Sequence, residues 1–236
     1  MCFILTASHI AINLTVSGQR PFRIDDALGI RWLTAVDESN SQSNLRYVRV
    51  VNAHGARSPL MTVRPMNLDD VDRRIAYFHD SSDDFLLQLG VDRLLLPERE
   101  DWKENYRLDF ERPIEERQGY GVMWLVDNEV VGWSNVDQID FGRQAFMHLH
   151  IADPNNRASG FGAHMVILAV RHFFQVLALE RLYCEPNAFN VAPNRALQRA
   201  GFRYEFSHMA TPGHLNFEQA TTRWVITDPA PLPTGR

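Results

Sequence analysis

The sharpest change in hydrophobic periodicity along the chain lies between residues 146 and 176. Residues 146–151 form a short apolar run typical of a strand, and a polar turn with two glycines follows it. From Met165 to Val176 the apolar residues recur at the i, i+3, i+4, i+7 spacing of an amphipathic helix. The pattern therefore predicts a strand, a glycine-bearing turn and a helix in direct succession.

The segments on either side predict further strands and helices. Upstream, the pattern predicts a strand at 62–64, helices at 68–79 and 97–106, a hairpin of strands at 120–126 and 130–136, and a loop at 137–142. Downstream, it predicts a strand at 180–185, a helix at 191–200 ended by Gly201, and strands at 204–209 and 220–226. In this order the elements predict an α/β (α+β) fold, in which a mixed, twisted sheet of about six to seven strands has helices on both faces.

Residues 1–60 differ from the rest of the chain because no period of 2 or 3.6 is sustained in them, and 37–44 is a polar run. We assign residues 61–227 to one domain and leave 1–60 as an N-terminal extension without assigned structure. One interpretation is a mis-called start, with the native protein beginning at Met61; the other is a genuine extension that is disordered or folds on a partner. The proline-rich residues 228–236 are expected to be a frayed tail.

Composition and charge restrict the class of partner. The net charge of −5 gives no general attraction to nucleic acid or to acidic membranes. No apolar run reaches the ~18 residues of a membrane helix. The two cysteines exclude a disulfide framework and suit a reducing cytoplasm. We therefore expect a cytoplasmic protein, and we also expect a monomer or homodimer.

The turn that precedes the central helix has the chemistry of an anion site. The first turn of a helix has unpaired N–H groups at the positive end of its dipole, and glycines let a phosphate approach the backbone closely. The turn here reads R-x-x-G-x-G, with Arg157, Gly160 and Gly162. It is not a Walker loop, since no Gly-Lys-Ser/Thr follows, and it is not a G-x-G-x-x-G dinucleotide loop.

This turn resembles the pyrophosphate loop of the GNAT N-acetyltransferase superfamily, although Ala158 stands where a glycine is common. The order of predicted elements and the R-A-G-F sequence at 199–202 are similar to that superfamily over residues 61–227. Within it, the E-P-x-x-x-N stretch that begins at Glu185 and the H-L-x-I strand that begins at His148 resemble aminoglycoside 6′-N-acetyltransferases and siderophore-biosynthesis acetyltransferases. The resemblance implies acetyl-CoA as co-substrate, no metal, and direct attack by the acceptor amine in a ternary complex.

The resemblance also implies which residues contact the cofactor. The central strand is expected to splay from the next one, so that main-chain N–H groups near Leu149 and Ile151 polarise the acetyl carbonyl. Asn190 is expected to touch the pantetheine arm. The pyrophosphate is expected to contact the turn and the start of the helix, through Arg157, Gly160, Phe161, Gly162 and Ala163.

Two residues are implied as catalytic, Glu185 and His148. A carboxylate can hold the ammonium form of the acceptor and accept its proton, and a nearby histidine can relay that proton outward. The alternatives are that Glu185 caps the next helix or pairs with an arginine, and that His148 is a satisfied core histidine. Cys184 lies in an apolar strand, which is a poor setting for a thiolate nucleophile. Leu197 stands where many superfamily members have a tyrosine general acid.

The leading functional hypothesis is an acetyl-CoA-dependent N-acetyltransferase that moves an acetyl group to a primary amine of a small molecule. Two alternatives are a protein or peptide N-terminal acetyltransferase and a non-catalytic acyl-CoA-binding regulatory module. An enzyme for protein termini needs an open groove, whereas a small acceptor is enclosed if residues 85–96 and 216–219 close over it.

Overall fold

The computed structural model describes residues 6–7, 10–11, 30–35, 46–52, 57–152 and 161–227, with side chains from residue 59 onward. Arg157, Gly160 and the predicted tail at 228–236 lie outside these ranges. The domain predicted for residues 61–227 is built around one sheet. Helices lie against both faces of this sheet, which confirms the predicted fold class.

The bounds of the described elements are as follows. The strands are β1 (Thr6–Ala7), β2 (Ile10–Ala11), β3 (Ile30–Ala35), β4 (Arg46–Asn52), β5 (Arg57–Pro65), β6 (Tyr120–Val126), β7 (Glu129–Asp140), β8 (Gln144–Ile151), β9 (Arg181–Cys184), β10 (Arg203–Ala210) and β11 (Gln219–Ile226). The helices are α1 (Leu68–His79), α2 (Asp83–Leu89), α3 (Arg99–Phe110), α4 (Gly162–Leu177) and α5 (Val191–Arg199), with short 3-10 turns at Arg93–Leu95 and Ile114–Glu116.

The main sheet has the strand order β10-β11-β9-β8-β7-β6-β5-β4-β3, and β1 pairs with β2 separately. Neighbouring strands are antiparallel except for β8 and β9, which are parallel. The strands from β5 to β11 belong to the predicted domain, and their number agrees with the six to seven expected. A parallel pair needs a crossover, and α4 supplies it between β8 and β9.

The N-terminal extension meets this sheet through its backbone, because β4 pairs with β5 and β3 continues the edge. Side chains of residues 1–58 lie outside the described residues, so whether the extension shares a core with the domain stays a prediction. We expect a chain that starts at Met61 to keep the melting temperature of the full chain. A chain that starts at Arg57 is the control, since it retains the bond from Leu60 N–H to Asp127 Oδ1 at 2.8 Å. A fall of several degrees in both would show that the extension stabilises the domain.

Two apolar cores lie on opposite faces of the sheet. Helices α4 and α5 cover one face, where Phe173 and Leu197 pack against Met147 and Leu182 in the strands. Helices α1 to α3 cover the other, and their buried members include Phe78, Leu86 and Trp102. Of the predicted apolar positions of α4, those from Met165 to Phe173 are buried and Val176 is partly buried; Trp124, Trp133 and Trp224 are buried as well.

Local signals set several element boundaries as predicted. Helix α1 has the expected bounds, and Asn67 forms a capping box with Asp70. Asp127 and Asn128 take positive φ angles of 49° and 69°, the conformation that a tight two-residue hairpin needs. Two predictions were wrong: β7 continues to Asp140 through the expected loop at 137–142, and α2 was missed. Helix α2 has seven residues and only Leu86 buried, which is too short for its period to show.

Candidate functional site

The sheet opens at its parallel pair. The pairing of β8 with β9 ends at Met147 and Cys184, so the last residues of β8 continue without a partner on that side. On the other side Ala152 N–H donates to Val131 O on β7 at 3.0 Å. Because backbone groups alternate along a strand, the N–H groups of Leu149 and Ile151 face the opening. The expected splay is therefore present, with donors directed into it.

Two cavities adjoin at this opening. The larger, of about 490 Å³, is lined by residues that include Ile151, Gly162 and Ala163. The smaller, of about 110 Å³, is lined by polar and charged side chains that include Arg74, Asp137, His148 and Glu185. Leu149, His150, Asn190 and Pro193 line both spaces, so the two cavities meet where β8 leaves β9.

The N-terminus of α4 faces the larger cavity and has the features of an anion site. Gly162 is its first residue, and its N-cap residue Phe161 forms no side-chain cap. Among the described residues, a Cβ built on Gly162 would meet no atom within 4 Å. The dipole of this 16-residue helix and the N–H groups of its first turn suit the binding of a phosphate. The predicted contacts of Arg157 and Gly160 lie outside the described residues.

Asn190 lies between the two cavities at the N-cap of α5. Its side chain makes no capping bond, while its carbonyl accepts from Asn194 Nδ2 at 2.7 Å. This bond fixes the backbone of Asn190 on the helix and leaves its side chain at the junction of the cavities, where we expected a contact with the pantetheine arm.

Glu185 follows β9 and lines the smaller cavity with 6% of its side chain exposed. Its Oε1 accepts from Arg223 Nε and from His208 Nε2, the latter at 3.0 Å. The guanidinium of Arg223 lies 5.1–5.5 Å from the ring centres of three aromatic residues, Phe146, Tyr183 and Phe206. The pairing of Glu185 with an arginine, which the sequence left open, is therefore present, and its carboxylate also faces the cavity.

His148 lies on β8 and forms a pair with Asp137 on β7. Its Nε2 is 3.0 Å from Asp137 Oδ2. Burial acts to raise the pKa of Asp137, but the charge and hydrogen bond of His148, together with the charges of His214 and Arg74, outweigh burial and hold that pKa below its ordinary value. An ionised carboxylate only accepts hydrogen bonds, so in the neutral imidazole the proton is on Nε2 and Nδ1 carries the free lone pair. Gly213 keeps the ring accessible, since a Cβ there would lie 3.3 Å from His148 Cε1.

The remaining candidates have structural roles. His150 stacks on Trp133, and burial, followed by the charge of Arg74, lowers the pKa of His150 well below its ordinary value. Cys184 is buried, and burial raises the pKa of its thiol far above its usual range, which excludes a ready thiolate. Leu197 is a fully buried core residue.

Two loops close one side of the smaller cavity by bonding to each other. Asn216 Nδ2 donates to Gly90 O at 2.8 Å, and Gln219 Nε2 donates to the same carbonyl at 3.1 Å. Asp92 N–H donates to Leu215 O at 2.9 Å. The segment after α2 and the segment before β11 therefore form one continuous wall.

Sequence reasoning missed Asp137, Arg223 and Arg74. Asp137 fell in the predicted loop, and the contact of Arg223 with Glu185 depends on the strand order. Arg74 had a signal that was available: with Val71, Ile75 and Phe78 it falls at the i, i+3, i+4, i+7 positions of the buried face of α1. An arginine on the apolar face of a helix indicates a buried charge, and a buried charge usually has a partner or a functional role.

The described residues include neither a metal-binding cluster nor a membrane-spanning helix. No group of three or more histidine, cysteine, aspartate or glutamate side chains is arranged to hold a metal ion in this part of the chain. In the same part, no helix combines the length and the apolar character needed to cross a bilayer.

Comparisons with known proteins agree with this geometry. The family model for the "Acetyltransferase (GNAT) domain" matches residues 61–203. No curated protein matches the sequence.

Several solved structures share the fold. The ribosomal-protein alpha-N-acetyltransferase RimL in complex with coenzyme A is 15% identical, with a TM-score of 0.57 over 72% of this chain and 96% of that chain. An aminoglycoside acetyltransferase in complex with coenzyme A is 17% identical, with a TM-score of 0.54 over 71% and 94%. Spermidine N-acetyltransferase from Vibrio cholerae in complex with CoA and spermine is 15% identical, with a TM-score of 0.56 over 70% and 94%. At these identities the likeness establishes the fold alone.

Proposed function

The chain belongs to the GNAT acetyltransferase family, and we propose that within this family it acetylates a primary amine of a small molecule. The observation that carries the proposal is the small size of the smaller cavity, together with the wall that two bonded loops form along one side of it. Its volume is about 110 Å³, and the bonds from Asn216 and Gln219 to Gly90 close one side of it. An enzyme for protein termini needs a groove that admits a chain, whereas this space suits a small acceptor.

The larger cavity and the start of α4 fit acetyl-CoA, the co-substrate of the family. The absence of any described atom within 4 Å of a Cβ on Gly162, and the helix dipole at this N-terminus, support pyrophosphate binding there. The thioester supplies the acetyl group. In this proposal the N–H groups of Leu149 and Ile151 polarise its carbonyl, and Asn190 contacts the pantetheine arm. Ala163 also lines this cavity, and the sequence assigns Arg157, Gly160 and Phe161 to the same turn.

The acceptor amine is proposed to lie between Glu185 and the pair formed by His148 and Asp137, since all three line the smaller cavity. An amine with a pKa near ~10 is protonated at neutral pH and cannot attack until it loses a proton. Glu185 is proposed to hold the ammonium and accept that proton as the nitrogen adds to the thioester carbonyl. His148, with Nδ1 basic and Nε2 held by Asp137, is proposed to relay the proton outward.

Two alternatives stand beside this proposal. The similar structure of RimL is named as an enzyme that acetylates a protein terminus, which keeps a peptide acceptor under consideration. A non-catalytic acyl-CoA-binding module would keep the larger cavity and lack a base. The charged lining of the smaller cavity argues against the second alternative. We also propose a cytoplasmic location, on the grounds of cysteine content, and a monomer or homodimer.

A turnover assay with acetyl-CoA separates these possibilities. The acceptors tested are polyamines, aminoglycosides, amino acids and peptides. Both the release of the coenzyme A thiol and the mass of the product are measured. We expect turnover on at least one small primary amine and none on peptides. Turnover confined to peptides would establish the terminal acetyltransferase. Tight coenzyme A binding without turnover on any acceptor would establish the binding module.

A further inference from the structure

Arg74 is a buried charge that the mechanism above does not use. It lies on α1 with 4% of its surface exposed, and it lines the smaller cavity. Its Nη1 donates to Asn135 Oδ1 at 2.6 Å, and its guanidinium carbon lies 5.4 Å from the centre of the Phe78 ring. Its Nε is buried, and nothing among the described residues accepts a hydrogen bond from it.

The charge of this guanidinium is not balanced by a bonded carboxylate. Buried charges are normally paired and fully hydrogen-bonded, because a desolvated ion without such a partner is costly. None of the ion pairs formed within the described part of the chain includes Arg74, and its partner Asn135 is a neutral amide. A guanidinium that is not hydrogen-bonded to a carboxylate therefore lines the cavity, although Asp137 is close enough for the two charges to interact.

A free acceptor lies in the same cavity. Asp137 uses Oδ2 for its bond with His148, while its Oδ1 is buried and has no hydrogen-bond partner among the described residues. Asn135 and Asp137 stand two residues apart on β7, so their side chains share a face of the strand. Asn135 bonds Arg74, so a guanidinium and a carboxylate that both keep unused hydrogen-bonding capacity line one small space.

We propose that Arg74 binds a carboxylate of the acceptor, so that the substrate is a small zwitterion with both an amine and an acid group. The inference rests on the proposed function, because it names the substrate class of the same site. A guanidinium binds a carboxylate through parallel N–H bonds of fixed geometry. The amine then lies toward Asp137, where Oδ1 accepts from it, and toward the proposed proton acceptors.

The same charge disfavours other acceptors. Spermidine and aminoglycosides, named for two of the similar structures, carry several ammonium groups. A second ammonium beside Arg74 meets a like charge in a poorly solvated space.

The test compares matched ligands on the full chain saturated with coenzyme A. The probes are β-alanine, 4-aminobutyrate and lysine, each beside its carboxamide, with cadaverine as the decarboxylated form of lysine. Binding is measured by calorimetric titration. We expect the best-bound acid to bind at least tenfold more tightly than its amide, in line with a charge-assisted bond to a guanidinium. In Arg74→Gln this preference should fall below about threefold.

Arg73→Gln is the matched control, because Arg73 is the neighbouring residue of α1 and is exposed. It should keep the wild-type preference. The comparison of acids with amides on the wild-type protein tests the proposal even if Arg74→Gln fails to fold. Amides or cadaverine that bind as tightly as the acids would overturn the proposal, and so would a panel in which no acid binds. If acids bind but none is acetylated from acetyl-CoA, the anion site stands and the proposed function fails.

Discussion

Gly162→Val is expected to weaken coenzyme A binding by at least tenfold while changing the melting temperature by no more than a few degrees. Among the described residues, a Cβ at this position meets no atom within 4 Å, so the added side chain is expected to fit this part of the protein without ligand. The helix itself tolerates the change, since glycine is among the poorest helix formers. With coenzyme A bound, the same side chain occupies the space beside the first turn where the pyrophosphate is proposed to lie.

The measurement is a calorimetric titration with coenzyme A, paired with thermal unfolding of the free protein. Gly119→Ala is the control, because a Cβ there makes an ordinary contact of 3.6 Å with Val136 O at a position outside both cavities. Gly160→Val tests the same turn at a residue outside the described ranges. Wild-type affinity in both valine variants would refute the pyrophosphate assignment.

The elements that sequence predicted well are those with a local cause. The cap at Asn67, the hairpin turn at Asp127 and Asn128, and the helix end before Gly201 each depend on a few neighbouring residues. Gly201 has a φ of +93°, which few other residues adopt. Caps and turns of this kind can be identified without knowledge of the fold, and the order of strands and helices follows from them.

The strand β7 shows where the local pattern misled. Alternation along this strand breaks between Asp137 and Asp140, and Gln138 takes a positive φ of 48°. An irregularity of this kind interrupts the period of 2 on which strand prediction depends. The sequence therefore predicted a loop at this point, and Asp137 was missed as the partner of His148.

The partners of Glu185 could not be predicted because they depend on the strand order. Arg223 lies one residue beyond the pairing of Trp224 with Cys184, and β11 comes beside β9 only in the assembled sheet. The sequence named Glu185 from a motif and left an arginine partner as an alternative. The structure supplies that partner while keeping Glu185 in the wall of the cavity, so the two interpretations are compatible.

The second large effect is expected from Glu185→Gln, which should lower kcat by roughly 10²–10³ with little change in acetyl-CoA affinity. Glutamine keeps the shape and an oxygen that accepts from Arg223, but it removes the charge that holds an ammonium and the basicity that takes its proton. Glu205→Gln is the control, since Glu205 is paired with Arg203 at 3.6 Å on β10 and does not line the smaller cavity.

The same variant separates catalysis from a merely structural pairing. If Glu185 only balances the charge of Arg223, Glu185→Gln lowers the melting temperature because it leaves the arginine without a counter-charge, and kcat of the folded protein is retained. If Glu185 accepts the proton, kcat falls at temperatures where the variant is fully folded. Steady-state kinetics on the true acceptor, beside thermal unfolding, distinguishes the two. Wild-type kcat in Glu185→Gln would transfer the role of base to His148, and His148→Asn should then show the loss.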